Sequence, residues 1–85
     1  QKMQNFSYLE KIEPKQLSEF IKDEHPQTIA LILVHIDVAK AAKTLLCFSD
    51  ELRLDVSMRM AKLNNASSDI LKTISDTLKS KIKSI

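Results

Sequence analysis

The chain contains no glycine and only two prolines among its 85 residues. Glycine is the residue that most readily adopts the left-handed backbone that tight turns and bulges need. Both prolines can begin a helix, because proline lacks only an N–H group that the first helical turn leaves unpaired. This composition favours helices joined by very short turns over sheets or loop-rich folds.

The bulk properties are those of one ordinary globular domain, spanning residues 1–85. The content of 44% hydrophobic and 28% charged residues is typical of such domains. A net charge of +2 is too small to indicate a nucleic-acid partner. No apolar run approaches the roughly 20 residues that span a bilayer, so membrane insertion is not expected. Because the chain begins at Gln1, we expect it to be part of a longer protein.

Apolar periodicity predicts six helical segments and no strand. The first three are a short opening turn or helix over Phe6–Ile12 and helices over Pro14–Lys22 and Pro26–His35. The fourth is a helix that Asp37 caps and that continues to Phe48, and the fifth is a helix that Ser49 caps. The sixth is a helix that Ser67 or Ser68 caps and that continues to about Ser84. In the fourth segment we expect a buried stripe of Val38, Ala41, Ala42, Leu45 and Leu46. In the fifth we expect burial of Leu52, Val56, Met60 and Leu63.

The helix behind Pro26 is apolar on every side. Its run from Ile29 to Ile36 leaves no solvated face, so it should be the central helix of the bundle. Cys47, near the end of the following segment, is expected to be a buried and unreactive core thiol. As the single cysteine it excludes an intrachain disulfide and suits a reducing compartment.

The last helix carries an apolar stripe wider than one neighbouring helix requires. Ile70, Ile74, Leu78 and Ile82 form one line, and Leu71 and Ile85 extend it sideways. We expect at least two of Leu71, Leu78 and Ile85 to be exposed and to meet a surface outside this domain. The alternative is that these residues complete the domain's own core.

No pattern of catalytic, cofactor-binding or metal-ligating residues stands out. Phosphate-binding and dinucleotide-binding fingerprints need glycine, and the ten-residue spacing of His25 and His35 does not suit a metal site. We therefore expect no enzyme activity, no cofactor and no metal. A helix-turn-helix DNA binder is a better rival, but the basic residues are dispersed and no recognition helix stands out.

A polar cluster stands at the start of the apolar helix: Glu24, His25, Pro26 and Gln27, followed by Thr28. One interpretation is that Glu24 or His25 merely caps the helix. The other is a rigid docking platform, in which Pro26 fixes the backbone and the N–H groups of Gln27, Thr28 and Ile29 point outward unpaired.

Three stretches, EHPQTIALIL (24–33), AAKTLL (41–46) and ELRLDVSMRMAKL (51–63), resemble the middle domain of the flagellar motor switch protein FliG. The Glu-His-Pro-Gln-Arg motif of that family is matched at its first four positions, and a segment like Asp55-Val56…Arg59-Met60-Ala61 follows. The resemblance covers roughly Phe6 to Leu78. Thr28 stands where the family usually has arginine, which puts any ion pair from that position in doubt. Val38 and Phe48-Ser49 stand where prolines are usual.

The resemblance implies a compact armadillo-like all-α bundle of about five to six short helices. It implies that Glu24, His25, Pro26, Gln27 and Thr28 dock the middle domain of the switch protein FliM. The wider setting would be the cytoplasmic ring of the flagellar basal body at the inner membrane, which acts in rotation switching, motility and chemotaxis. The last helix would lead toward a FliG C-terminal domain, and Leu71, Leu78 and Ile85 could meet that domain or a neighbouring FliG subunit.

Overall fold

The computed structural model describes residues 6–63 and 68–84, with all their side chains except those of Ser7 and residues 68–71. A 3₁₀ turn at Ser7–Leu9 precedes five helices: α1 (Pro14–Ile21), α2 (Pro26–Leu33), α3 (Val38–Leu45), α4 (Asp50–Lys62) and α5 (Ser68–Lys83). The described part contains no strand. The all-α fold predicted from the sequence is confirmed, and the opening segment forms only the 3₁₀ turn.

The first four helices begin at a constant interval. Their first residues are 14, 26, 38 and 50, so each start lies 12 residues after the one before. Each of α1, α2 and α3 has eight residues, which leaves four for each connection. Each of the connections at 22–25, 34–37 and 46–49 therefore has to end one helix and begin the next within four residues.

Each connection ends one helix and caps the next without a left-handed residue. The last turn tightens to 3₁₀ hydrogen bonding, in which a backbone N–H donates to the carbonyl oxygen three residues earlier. These bonds run from Glu24 to Ile21 at 3.0 Å, from His35 to Ile32 at 3.1 Å and from Cys47 to Thr44 at 3.0 Å. A side chain then caps the following helix. The predicted caps at Asp37 and Ser49 are confirmed, since they accept from the N–H groups of Lys40 and Leu52. The expected cap of α5 at Ser67 or Ser68 lies outside the described residues and side chains.

Helix α2 occupies the centre of the bundle, as its uniform apolarity predicted. All five side chains from Ile29 to Leu33 are buried. Helix α4 packs on α2 most extensively, and α5 also contacts it. The surrounding core is supplied by the other elements: Phe6, Leu9, Leu17, Phe20, Ile21, Val56 and Leu78. Only at its C-terminal end does the apolar run emerge, where Val34 is 38% exposed.

The stripe predicted on α3 and beyond is largely wrong. Ala41 is buried and Leu45 half-buried, but Ala42 is exposed, Val38 is 83% exposed and Leu46 is 70% exposed. Helix α3 packs chiefly on α1, so only a narrow face is covered. Thr44 completes that face, because its hydroxyl donates to the Lys40 carbonyl at 2.8 Å and leaves no unpaired polar atom.

The expected burial of Cys47 is also wrong: the thiol is exposed. Cys47 lies in the connection after α3, where the tightened last turn directs it outward beside Leu46. The burial predicted for the fifth segment, α4 and the residue after it, is closer to what the structure shows. Val56 is buried, and Leu52, Met60 and Leu63 are partly buried against the core.

Leu78 is not one of the exposed residues, because its side chain is only 3% exposed. The prediction that at least two of Leu71, Leu78 and Ile85 are exposed therefore depends on Leu71 and Ile85. Helix α5 packs on both α1 and α2, so the domain's own core needs a wide stripe. Ile74 and Ile82 are partly buried beside Leu78. The side chain of Leu71 and residue Ile85 lie outside what the structure describes.

Tyr8, in the 3₁₀ turn at Ser7–Leu9, contacts α5. Its hydroxyl lies 3.0 Å from the Ser75 carbonyl oxygen and 2.9 Å from Ser75 Oγ, while Lys79 Nζ lies 5.1 Å from the ring centroid. Burial raises the pKa of Tyr8, Asp76 raises it further, and the hydrogen bond from Ser75 opposes both. The phenol is therefore held in its neutral form.

A matched pair of leucine substitutions tests the burial pattern. Leu33→Ala removes a side chain that is 1% exposed and should lower the free energy of unfolding by about 2–5 kcal/mol. Leu46→Ala removes one that is 70% exposed and should change it by less than about 0.5 kcal/mol. Urea unfolding of both variants measures the difference, and equal losses would contradict the assigned orientation of α3.

Tyr8→Phe should have two separate effects. At neutral pH the lost hydrogen bond should lower the free energy of unfolding by about 1 kcal/mol. Because the folded-state pKa lies above the ordinary value of 10.0, the wild-type chain should lose further stability as pH rises above about 10 and through that folded-state pKa. Urea midpoints across this alkaline range should show a smaller decline in the variant. Parallel declines would contradict the role given to Tyr8.

Candidate functional site

The polar cluster predicted from the sequence lies at the surface where α2 begins. His25 is exposed, and Glu24, Pro26, Gln27 and Thr28 are half-buried. We call these five residues the docking corner. Side chains from α4 and α5 reach it, because those helices pack on α2 along its length.

His25 caps α2 with its imidazole ring. Its backbone is extended, with φ −60° and ψ 140°, and Pro26 occupies the first helical position. His25 Nδ1 accepts the N–H of Gln27 at 2.9 Å, and the His25 carbonyl accepts the N–H of Ile29 at 3.1 Å. The capping interpretation is thus confirmed for His25. The expectation that the N–H groups of Gln27 and Ile29 are unpaired is wrong.

Gln27 is held by an arginine that sequence reasoning did not assign to the site. Arg59 of α4 donates from Nη1 to Gln27 Oε1 at 3.1 Å, and from Nε to Asp55 Oδ1 at 2.7 Å. Asp55, Arg59 and Gln27 therefore form one chain of hydrogen bonds. In the sequence, Asp55 and Arg59 have the i, i+4 spacing that suits a surface ion pair on any helix, and they stand in the segment that resembles the family.

Glu24 is paired with the last helix. Lys81 Nζ lies 2.9 Å from Glu24 Oε2 and also donates to the Phe20 carbonyl at 2.9 Å. With side chains 40% and 33% exposed, this pair contributes at most about 1 kcal/mol to stability. Its main consequence is to fix where the carboxylate points.

Three clefts among the described residues border the docking corner. The first, of about 190 Å³, lies between α2 and α5 and is lined by Glu24, Thr28, Ile32, Thr73, Ile74, Thr77 and Leu78. The second, of about 390 Å³, lies between the start of α2 and α4 and is lined by Gln27, Asp55, Met58, Arg59, Lys62 and Leu63. The third, a shallower cleft of about 570 Å³, is lined by Glu24, Asp76, Thr77, Ser80, Lys81 and Ser84. Thr28 lines the first cleft, and among the described contacts Lys81 is the cationic partner of Glu24.

The docking corner presents hydrogen-bonding groups, and no metal-ligand cluster accompanies them in the described part of the chain. Within residues 6–63 and 68–84, no three His, Cys, Asp or Glu side chains come together as metal ligands. His35 lies apart from His25 and pairs its Nδ1 with the Leu31 carbonyl oxygen at 2.8 Å. In the same part of the chain, no helix has the length and apolarity to cross a membrane.

Fold and site together define a class: a compact all-α module with a polar corner at the N-terminal end of its central helix. The family model of the FliG middle domain matches residues 14–85. The chain therefore belongs to the FliG middle domain family.

Curated relatives agree with this assignment. The flagellar motor switch protein FliG of Helicobacter pylori is 48% identical over 85 residues, covering 100% of this chain and 25% of its own length. That of Thermotoga maritima is 39% identical over 77 residues, covering 91% of this chain and 23% of its own. The chain thus spans about a quarter of these relatives' length.

Solved structures are similar over nearly the whole chain. A chain in the crystal structure of a FliG–FliM complex from H. pylori is 49% identical, with a TM-score of 0.88 over 93% of this chain and 99% of that one. The structure of FliG residues 86–343 from H. pylori has a TM-score of 0.86, at 49% identity, over 93% of this chain and 37% of that one.

The capping role of His25 predicts a difference between two substitutions. His25→Ala removes the cap acceptor and should lower the free energy of unfolding by about 1 kcal/mol, or about 4–8 °C in thermal midpoint. His25→Asn keeps a side-chain oxygen able to accept the N–H group and should retain most of that stability. Thermal unfolding distinguishes them. Equal midpoints for alanine and asparagine would show that the cap is not significant.

Proposed function

We propose that the chain is a non-enzymatic protein-interaction module of the bacterial flagellar motor switch complex, and that it docks FliM through Glu24, His25, Pro26, Gln27 and Thr28. The observation that carries the proposal is the convergence of three helices on one polar corner. Arg59 fixes Gln27, Lys81 fixes Glu24, and Pro26 fixes the backbone beside His25. The H. pylori FliG–FliM complex, whose matching chain is similar over 99% of its length, supports FliM as the partner.

Preorganisation is the physical reason to place binding here. Ordering flexible side chains at an interface costs about 0.5–1.5 kcal/mol for each one immobilised. At the docking corner, hydrogen bonds within the domain already order Glu24, His25 and Gln27. Much of that ordering is complete before a partner arrives. The flanking clefts offer the partner a concave surface to occupy.

The wider role of the protein follows the same proposal. As a middle domain within a longer FliG chain, the module would lie in the cytoplasmic ring of the basal body at the inner membrane, where it would help relay rotation switching in motility and chemotaxis. We do not expect nucleic acid or inserted lipid among its partners. Contact with a FliG C-terminal domain or a neighbouring subunit stays a prediction. Leu78 is buried in the domain's own core and cannot mediate it.

Two substitutions that preserve the fold test FliM docking. Gln27→Ala and His25→Asn should each weaken binding of H. pylori FliM about thirtyfold, the effect of losing about 2 kcal/mol at a central contact. Isothermal titration calorimetry measures the affinity. Gln16→Ala provides a matched control, because Gln16 is an exposed glutamine on α1, and it should bind like wild type.

The location of the interface can be checked without mutation. Backbone amide resonances of His25, Gln27 and Thr28 should shift when unlabelled FliM is added to the isotopically labelled chain. If both variants bind like wild type and these resonances do not move, the docking surface lies elsewhere and the proposal is wrong.

A further inference from the structure

We draw no further inference here: the strongest candidate, the exposed apolar surface patch of Val38, Ala42 and Leu46 at α3, carries nothing, because nothing in the structure shows what covers it.

Discussion

A helix that is apolar on all sides must be covered on all sides, and in this domain that helix is α2. Ile29 to Leu33 are buried together, so the other elements have to be arranged around them. Covering the length of a helix leaves its ends as the places where it reaches the surface. The N-terminal end of α2 is where the polar residues stand. The burial requirement and the docking corner are therefore two consequences of one arrangement.

The covering helices also organise that corner. Because α4 and α5 lie along α2, they bring Arg59 to Gln27 and Lys81 to Glu24. These contacts are partly exposed, so each contributes little to stability. Their main effect is to fix the directions in which the Glu24 and Gln27 side chains point. The His25 cap likewise orients its own ring, because Nδ1 accepts the backbone N–H of Gln27.

The helix junctions make the compact arrangement possible without glycine. Each of α1, α2 and α3 ends by tightening into a 3₁₀ turn, and the helix that follows each of them, α2, α3 or α4, begins with a side-chain cap from His25, Asp37 or Ser49. Both solutions use ordinary right-handed and extended backbone. The 12-residue interval between helix starts follows from repeating eight helical residues and four connecting ones.

The sequence by itself determined the helical class, the helix starts at prolines and caps, the central place of α2 and the residues of the docking corner. These depend on local chemistry: proline geometry, side-chain capping and an apolar run with no polar face. Tertiary structure decided which apolar side chains are covered. Val38 and Leu46 are exposed and Leu78 is buried because α3 packs chiefly on α1 while α5 packs on two helices. It also brought Arg59 and Lys81 to the corner, across 32 and 57 residues of sequence. Periodicity shows that a helix has an apolar face, but the number of neighbours it meets depends on how distant segments pack.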